Sequence, residues 1–481
     1  MSDIKQKTKI GMLWNASDKI LVQVTSFVLS IILARLLSPS DYGTLGLLSI
    51  FISFSNVFID SGFSRALIQK QDRKEVDFST VFIFNATISL CIYLVLFFAA
   101  PLIADFYNMP ALVDLQRVFF LVIFIDSLGV VQSAKLQIRV DFRSIAIINL
   151  VSVIVSGVTT IICAYNGLGV WALVIYSLVK SCSAVILYWN FARWTPVTGF
   201  SMGSFKSLFK FGSKLLASGL LSTSLNNITS LVIGKFYTPA NLGFYSKAQH
   251  FPELTAGTIT SVLNTSTFPL MASLQDRPEE MMAIFRKLIK ITAMFVFPAM
   301  IGLACLSETI ILVLLGEKWQ PTAYLLFWLT LSYIFNPLSV LNMNLLNAIG
   351  RSDLFLKIDF IKIPFILITM VITFPISLNA IVIGKAVAAF IYFYINSFLI
   401  GKMYGFGGFK QLTCSWKYII SAILMGFVVV SLDNMIGSGI LSLIFGVLGG
   451  AIIYMILLFI LQDIEFMNLL IKFKDKVLCK K

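Results

Sequence analysis

Apolar stretches of about twenty residues, separated by short breaks rich in charge, proline and glycine, run from end to end of this chain. A helix rises about 1.5 Å per residue, so about 20 residues cross the roughly 30 Å hydrocarbon core of a bilayer. The pattern predicts six such helices over 11–35, 41–67, 78–104, 111–137, 142–165 and 168–193. A basic, turn-rich linker follows over 194–210, containing Pro196, Gly199 and Gly203. Six more helices are expected over 211–235, 240–273, 283–307, 321–349, 353–375 and 377–402, and a last pair over 415–432 and 437–461. The run from Ile310 to Leu315 is too short to span and is expected at the interface.

One stretch occurs twice. Ser30 to Gly43 reads S-I-I-L-A-R-L-L-S-P-S-D-Y-G, and Ser230 to Gly243 reads S-L-V-I-G-K-F-Y-T-P-A-N-L-G, with no gap between them. Each copy has the chemistry of a corner between two membrane helices. Arg35 or Lys235 can reach the headgroups, Ser38 or Thr238 can cap the next helix, and Pro39 or Pro239 sits in its first turn, where a missing N–H costs nothing. The correspondence extends to Pro110 with Pro321 and to Asp141-Phe142 with Asp353-Leu354. A six-span unit used twice keeps its orientation, because six is even. The expected fold is an all-α polytopic membrane protein of about 14 transmembrane helices. It comprises two lobes, 11–193 and 211–402, related by a parallel repeat about the membrane normal, and a C-terminal pair, 415–461. A working site is expected in the cleft between the lobes, near mid-membrane.

Composition agrees with lipid as the solvent: 58% of residues are hydrophobic and 12% charged, with mean hydropathy +0.91, whereas soluble domains carry roughly 25% charged residues. The net charge of +14 does not point to nucleic acid, because the basic residues are spread over loops. With the N-terminus inside, most of them fall on the cytoplasmic side and the opposite side keeps Arg35, Lys235 and Lys318, which places both termini in the cytoplasm. Lys5, Lys7 and Lys9 precede a stretch with no small-residue cleavage site, so it is expected to stay as the first span. The six cysteines are scattered and form neither a disulfide framework nor a metal site.

Four segments then carry a family likeness: K-T-K-I-G-M-L-W (Lys7 to Trp14), A-R-L-L-S-P-S-D-Y-G (Ala34 to Gly43), D-S-G-F-S-R-A-L-I-Q (Asp60 to Gln69) and D-F-R-S-I-A-I-I-N-L-V-S (Asp141 to Ser152). They resemble the bacterial polysaccharide-export flippases, more closely the colanic-acid-exporter or teichuronic-acid type of Wzx protein. That family belongs to the multidrug, oligosaccharidyl-lipid and polysaccharide exporters. The resemblance implies movement of undecaprenyl-diphosphate-linked oligosaccharide from the cytoplasmic to the periplasmic leaflet by alternating access, coupled to a proton or sodium gradient. It implies the bacterial inner membrane, membrane lipids and the lipid-linked oligosaccharide as partners, and contact with the polysaccharide polymerase machinery. No cofactor is expected.

Ionisable groups inside spans cost about 2.5–3.5 kcal/mol each on insertion scales and need a wet or paired setting. Lys19, Lys180, Lys247 and Lys385, with Asn226 and Asn227, are candidates to line a substrate cavity. Lys180 and Lys385 occupy similar places in the two units and could bind a diphosphate as point charges; the alternative is that each pairs with a carboxylate or a carbonyl. Lys247, His250 and Glu253 follow at i, i+3 spacing, within about 120° of helix surface, and Pro252 can break the helix there. Glu253, His250, Asp18 and Asp126 are candidates for ion coupling, with a structural role as the alternative for His250 and Asp18. Asp60 and Arg65 are expected as a gate or structural pair at the inner mouth. Asp359 and Lys362 can neutralise each other, and Pro298, Pro337, Pro364 and Pro375 read as kinks. A cation extruder would favour carboxylates over these lysines. A membrane polymerase or acyltransferase would need a long outer loop or a histidine-aspartate motif, and no hydrolase motif or metal-ligand cluster is present.

Overall fold

A computed structural model of the chain describes residues 21–60, 63–70, 72–197 and 199–478. Among them every regular element is helical. The first ten helices are α1 (Leu21–Leu36), α2 (Pro39–Asp60), α3 (Phe63–Gln69), α4 (Glu75–Tyr107), α5 (Leu112–Phe119), α6 (Leu121–Ser127), α7 (Val130–Ile138), α8 (Phe142–Tyr165), α9 (Val170–Ala192) and α10 (Met202–Phe236). Next come α11 (Pro239–Ala272), α12 (Pro278–Cys305), α13 (Ser307–Leu314), α14 (Pro321–Tyr333), α15 (Asn336–Ala348) and α16 (Ser352–Thr373). The last are α17 (Leu378–Tyr404), α18 (Gly408–Cys414), α19 (Trp416–Ile436), α20 (Ile440–Ile460) and α21 (Ile464–Leu478).

Ten stretches of the described residues are long and apolar enough to cross a membrane, two of them built from consecutive short helices. The other four expected spans fall on α1, α10, α11 and α16. Of the first, only Leu21–Leu36 falls within the described residues, and the other three carry more polar and charged residues. The chain packs as two compact units, Met1–Gly243 and Phe244–Lys481.

In the first unit α8 and α9 pair along their lengths, and α10 lies on α2, α3 and α4. The helix of the expected seventh span therefore packs within the first unit. At the end of the unit where α3, α4 and α7 meet, Phe63, Leu67, Phe78, Val131 and Trp194 form an aromatic and aliphatic core. Lys135 crosses it: its Nζ lies 2.9 Å from Glu75, 4.3 Å from the Phe78 ring centre and 4.9 Å from that of Trp194. Trp194 Nε1 donates to Glu75 at 2.7 Å, and the Ser201 amide donates to Thr80 Oγ1 at 3.1 Å. These bonds tie the linker to α4. The linker is shorter than its composition suggested, because Ser201 accepts the Ser204 amide and starts α10 at Met202. A good N-cap outweighs the nearby Gly203.

In the second unit α12 packs on α19 and α20, and α17 packs on α14, α15 and α16. The expected span over 111–137 is three short helices, interrupted at Phe120 and at Leu128-Gly129. That over 321–349 is broken once, at Ile334-Phe335, with Pro337 in the first turn of α15. Pro298 and Pro364 lie inside continuous helices. So does Pro252, and the break expected there is absent: α11 is one helix from Pro239 to Ala272. A proline forfeits one backbone bond, and a helix of this length retains the bonds on either side.

Candidate functional site

The two repeated corners adopt the same local structure. α1 ends at Leu36 and α2 begins at Pro39; α10 ends at Phe236 and α11 begins at Pro239. In the first copy Ser38 donates to Asp41 Oδ2 through its amide at 2.8 Å and its hydroxyl at 2.7 Å, and the Asp41 amide returns to Ser38 Oγ at 3.2 Å. In the second, the Asn241 amide donates to Thr238 Oγ1 at 3.3 Å. This is capping with the proline in the first turn, as the repeat anticipates. The copies also meet. A Cβ built on Gly43 would lie 2.5 Å from the Pro239 carbonyl carbon and closer to its oxygen, and one built on Gly243 would lie 2.8 Å from the Pro39 carbonyl carbon. Only a residue without a side chain lets these backbones approach so closely. Near this crossing Lys235 Nζ donates to the Phe106 carbonyl and lies 4.1 Å from the Phe106 ring centre.

The second unit gathers polar side chains on α11, α14 and α17. Lys385 Nζ donates to Tyr245 Oη at 2.7 Å and lies 5.3 Å from the centre of that ring; Tyr245 is buried. Tyr333, at the end of α14, hydrogen-bonds the Gln249 side chain and lies within electrostatic range of Tyr245 and Glu253. Tyr245, Gln249 and Glu253 are spaced by four residues, so they share one face of α11. That face carries the phenol which holds Lys385, and Glu253 on it is exposed. Lys247 is 6% exposed, and His250 sits within its electrostatic range. Two residues along a helix is a rotation of about 200°, so Lys247 leaves α11 on the side away from Tyr245 and Lys385. About three turns beyond Glu253 on α11, Asn344 Nδ2 on α15 donates to Asn264 Oδ1 at 2.9 Å and to Thr267 Oγ1 at 3.1 Å.

The remaining expected site residues are dispersed. Lys180 is exposed on α9, its Nζ 6.0 Å from the Tyr176 ring centre. Asp126 is half-buried on α6. Asn226 is exposed on α10, and Asn227 Nδ2 donates to the Thr223 carbonyl one turn earlier, at 2.9 Å. Asp359 and Lys362 pair at 2.9 Å. Asp18 and Lys19 lie outside the described residues, as do the side chains of Asp60 and Arg65. The residues that sequence reasoning missed are Tyr245, Gln249 and Tyr333. The signal for the first two was their spacing from Glu253 in fours.

The sequence profile of the family described as polysaccharide biosynthesis protein matches residues 32–324. The chain is 27% identical over 356 residues to the teichuronic acid biosynthesis protein TuaB of Bacillus subtilis (strain 168), covering 74% of each chain. It is 24% identical over 365 residues to the lipopolysaccharide biosynthesis protein WzxC of Escherichia coli (strain K12), covering 75% of this chain and 73% of that one. Among solved structures, the fold is similar to that of the lipid II flippase MurJ in an inward closed conformation. The TM-score is 0.74 with 16% sequence identity, over 94% of this chain and 100% of that one.

Proposed function

The chain belongs to the polysaccharide biosynthesis protein family, and on that premise we propose that it is a flippase and not an enzyme. It moves an undecaprenyl-diphosphate-linked oligosaccharide from the cytoplasmic to the outer leaflet of a bacterial inner membrane by alternating access, with both termini cytoplasmic. The architecture is two six-helix lobes and a C-terminal pair, about 14 spans in all, as the repeat in the sequence suggests.

The observation that carries the reading is Lys385, a cation inside a span-length helix whose Nζ is held by a phenol rather than a carboxylate. A phenol positions an ammonium group without neutralising it, so the charge remains for an anionic cargo such as a diphosphate. Lys180, exposed on α9, offers a second charge of the same kind, with Asn226 and Asn227 of α10 as polar contacts in the same unit; Lys247, buried on the side of α11 away from Lys385, does not join them. Glu253 on the Tyr245 face, with His250 one turn earlier, takes up the coupling ion, a proton or sodium, and Asp126 is the candidate of the same kind in the first unit.

The test is transbilayer movement of a defined polyprenyl-diphosphate oligosaccharide in vesicles carrying the purified protein, with proton and sodium gradients imposed separately. Movement that one gradient accelerates, and that falls in K180Q/K385Q while the protein still purifies folded, is the expected result. No movement under either gradient overturns the flippase reading, and unchanged movement in the double variant removes the lysines from it. Export of an organic cation by the same vesicles, without glycan movement, would make the protein an extruder.

A further inference from the structure

The last helix is joined to the bundle by a constructed corner. α20 ends at Ile460, and Gln462 turns the chain with a φ of 48°. Asp463, itself buried, accepts the Phe466 amide at 3.0 Å and the hydroxyl of buried Tyr418 at 2.9 Å. Lys417 Nζ donates to the Leu461 carbonyl at 2.8 Å, and Lys287 on α12 lies 3.7 Å from Glu465. The first turn of α21 is therefore held against α19 and α12, at the level where α20 ends.

Beyond that turn the helix has no such ties among the described side chains. Leu469, Leu470 and Ile471 are exposed, as is Ile464 at 73%. The sequence then reads Lys472-Phe473-Lys474-Asp475-Lys476, three lysines within about one helical turn. Fifteen residues extend about 22 Å, short of a bilayer core, and three lysines near the far end oppose insertion across it. A helix that mixes large aliphatic residues with a cluster of cations suits the boundary between acyl chains and headgroups. The covalent link to a span-length helix three residues away puts it at that boundary.

We propose that α21 lies in the membrane surface where α20 ends and binds anionic phospholipid there. Its aliphatic residues enter the acyl region and its lysines meet headgroup phosphates. The occupant follows from charge complementarity: of the two acids in the helix, Glu465 faces Lys287, which leaves Asp475 against three lysines. The inference needs only that the chain spans a membrane, and it stands or falls apart from the flippase reading.

The experiment is hydrogen–deuterium exchange on the full-length protein in nanodiscs of phosphatidylglycerol or of phosphatidylcholine. Each lysine near an anionic surface strengthens partitioning roughly fivefold, so three give up to about a hundredfold. Amides of 466–478 should exchange more slowly in phosphatidylglycerol, and the difference should shrink in high salt. K472Q/K474Q/K476Q should bring phosphatidylglycerol down to the phosphatidylcholine value, and L470D/I471D should lose protection in both, with exchange in α19 and α20 unchanged as the control for folding. Equal protection in the two lipids at low salt overturns the proposal. So does protection that persists in lipid-free detergent and in both variants, which would mean that the helix packs on its own bundle. Protection that rises with protein concentration would assign the face to a second copy and overturn it as well.

Discussion

Replacing Gly43 by alanine sets two physical effects against each other, and the structure decides which prevails. Gly43 lies in the first turns of α2, and alanine at a helical position is ordinarily better than glycine by up to about 1 kcal/mol. Here the added methyl would meet the Pro239 carbonyl, 2.5 Å from its carbon, and the Gly243 nitrogen at 3.0 Å. Carbon atoms in ordinary contact sit about 3.5–4.0 Å apart, so α2 and the start of α11 would have to separate by roughly 1 Å. The obstacle is backbone and cannot rotate away. Overpacking of this kind costs about 1–3 kcal/mol, which exceeds the propensity gain. G43A should therefore lower the melting temperature of the detergent-solubilised protein. G257A, at a position on α11 with nothing within 4 Å, should raise it by the propensity alone. G243A should behave like G43A, and the double variant should cost much less than the sum, because the first substitution already parts the crossing. A G43A protein as stable as G257A would refute the close approach.

Two further substitutions probe buried polar bonds. Y245F keeps the ring and removes the acceptor of Lys385 Nζ; bonds to charged groups are worth about 1.5–3 kcal/mol. Thermal unfolding should show a loss of that order, and vesicle flipping should fall further than stability does if the lysine is positioned for cargo. Gln411 and Asn342 are buried and exchange amide bonds at 2.8 and 3.1 Å, fixing α18 to α15. Q411L should destabilise by about 1–3 kcal/mol through the stranded Asn342 amide, and N342L/Q411L should recover part of that loss in the same melting assay.

The corners were legible because capping is local chemistry. Ser38 with Asp41, and Thr238 with Asn241, act over three residues, and the matched glycines carried the information that something crosses there. The helix interruption at Phe120 was not legible, since no proline or turn-forming pair marks it and the apolar run continues through it, whereas the one at Leu128-Gly129 is marked by Asp126-Ser127 and a glycine that the apolar reading passed over. Pro337 did mark the equivalent interruption in the second half. α18 escaped notice because it is seven residues long and flanked by glycine. The partner of Lys385 lies 140 residues away on another helix, and a phenol carries no charge pattern by which a sequence could announce it.

The expected spans that are long yet fall short of the apolar ten are informative for that reason. α10, α11 and α16 hold Asn226, Asn227, Lys247, His250, Glu253, Asp359 and Lys362, and each charge left facing acyl chains would cost about 2.5–3.5 kcal/mol. α16 meets the cost internally, by pairing Asp359 with Lys362 at 2.9 Å. On α11 other helices meet the neutral polar groups: Tyr333 from α14 takes Gln249, and Asn264 and Thr267 meet Asn344 of α15. Glu253 stays exposed on the same face as Tyr245. A carboxylate in that position needs water or a partner group beside it, which fits the proposal that the Glu253 end of this face of α11 opens to a wet cavity, with Lys385 held about two turns away on buried Tyr245.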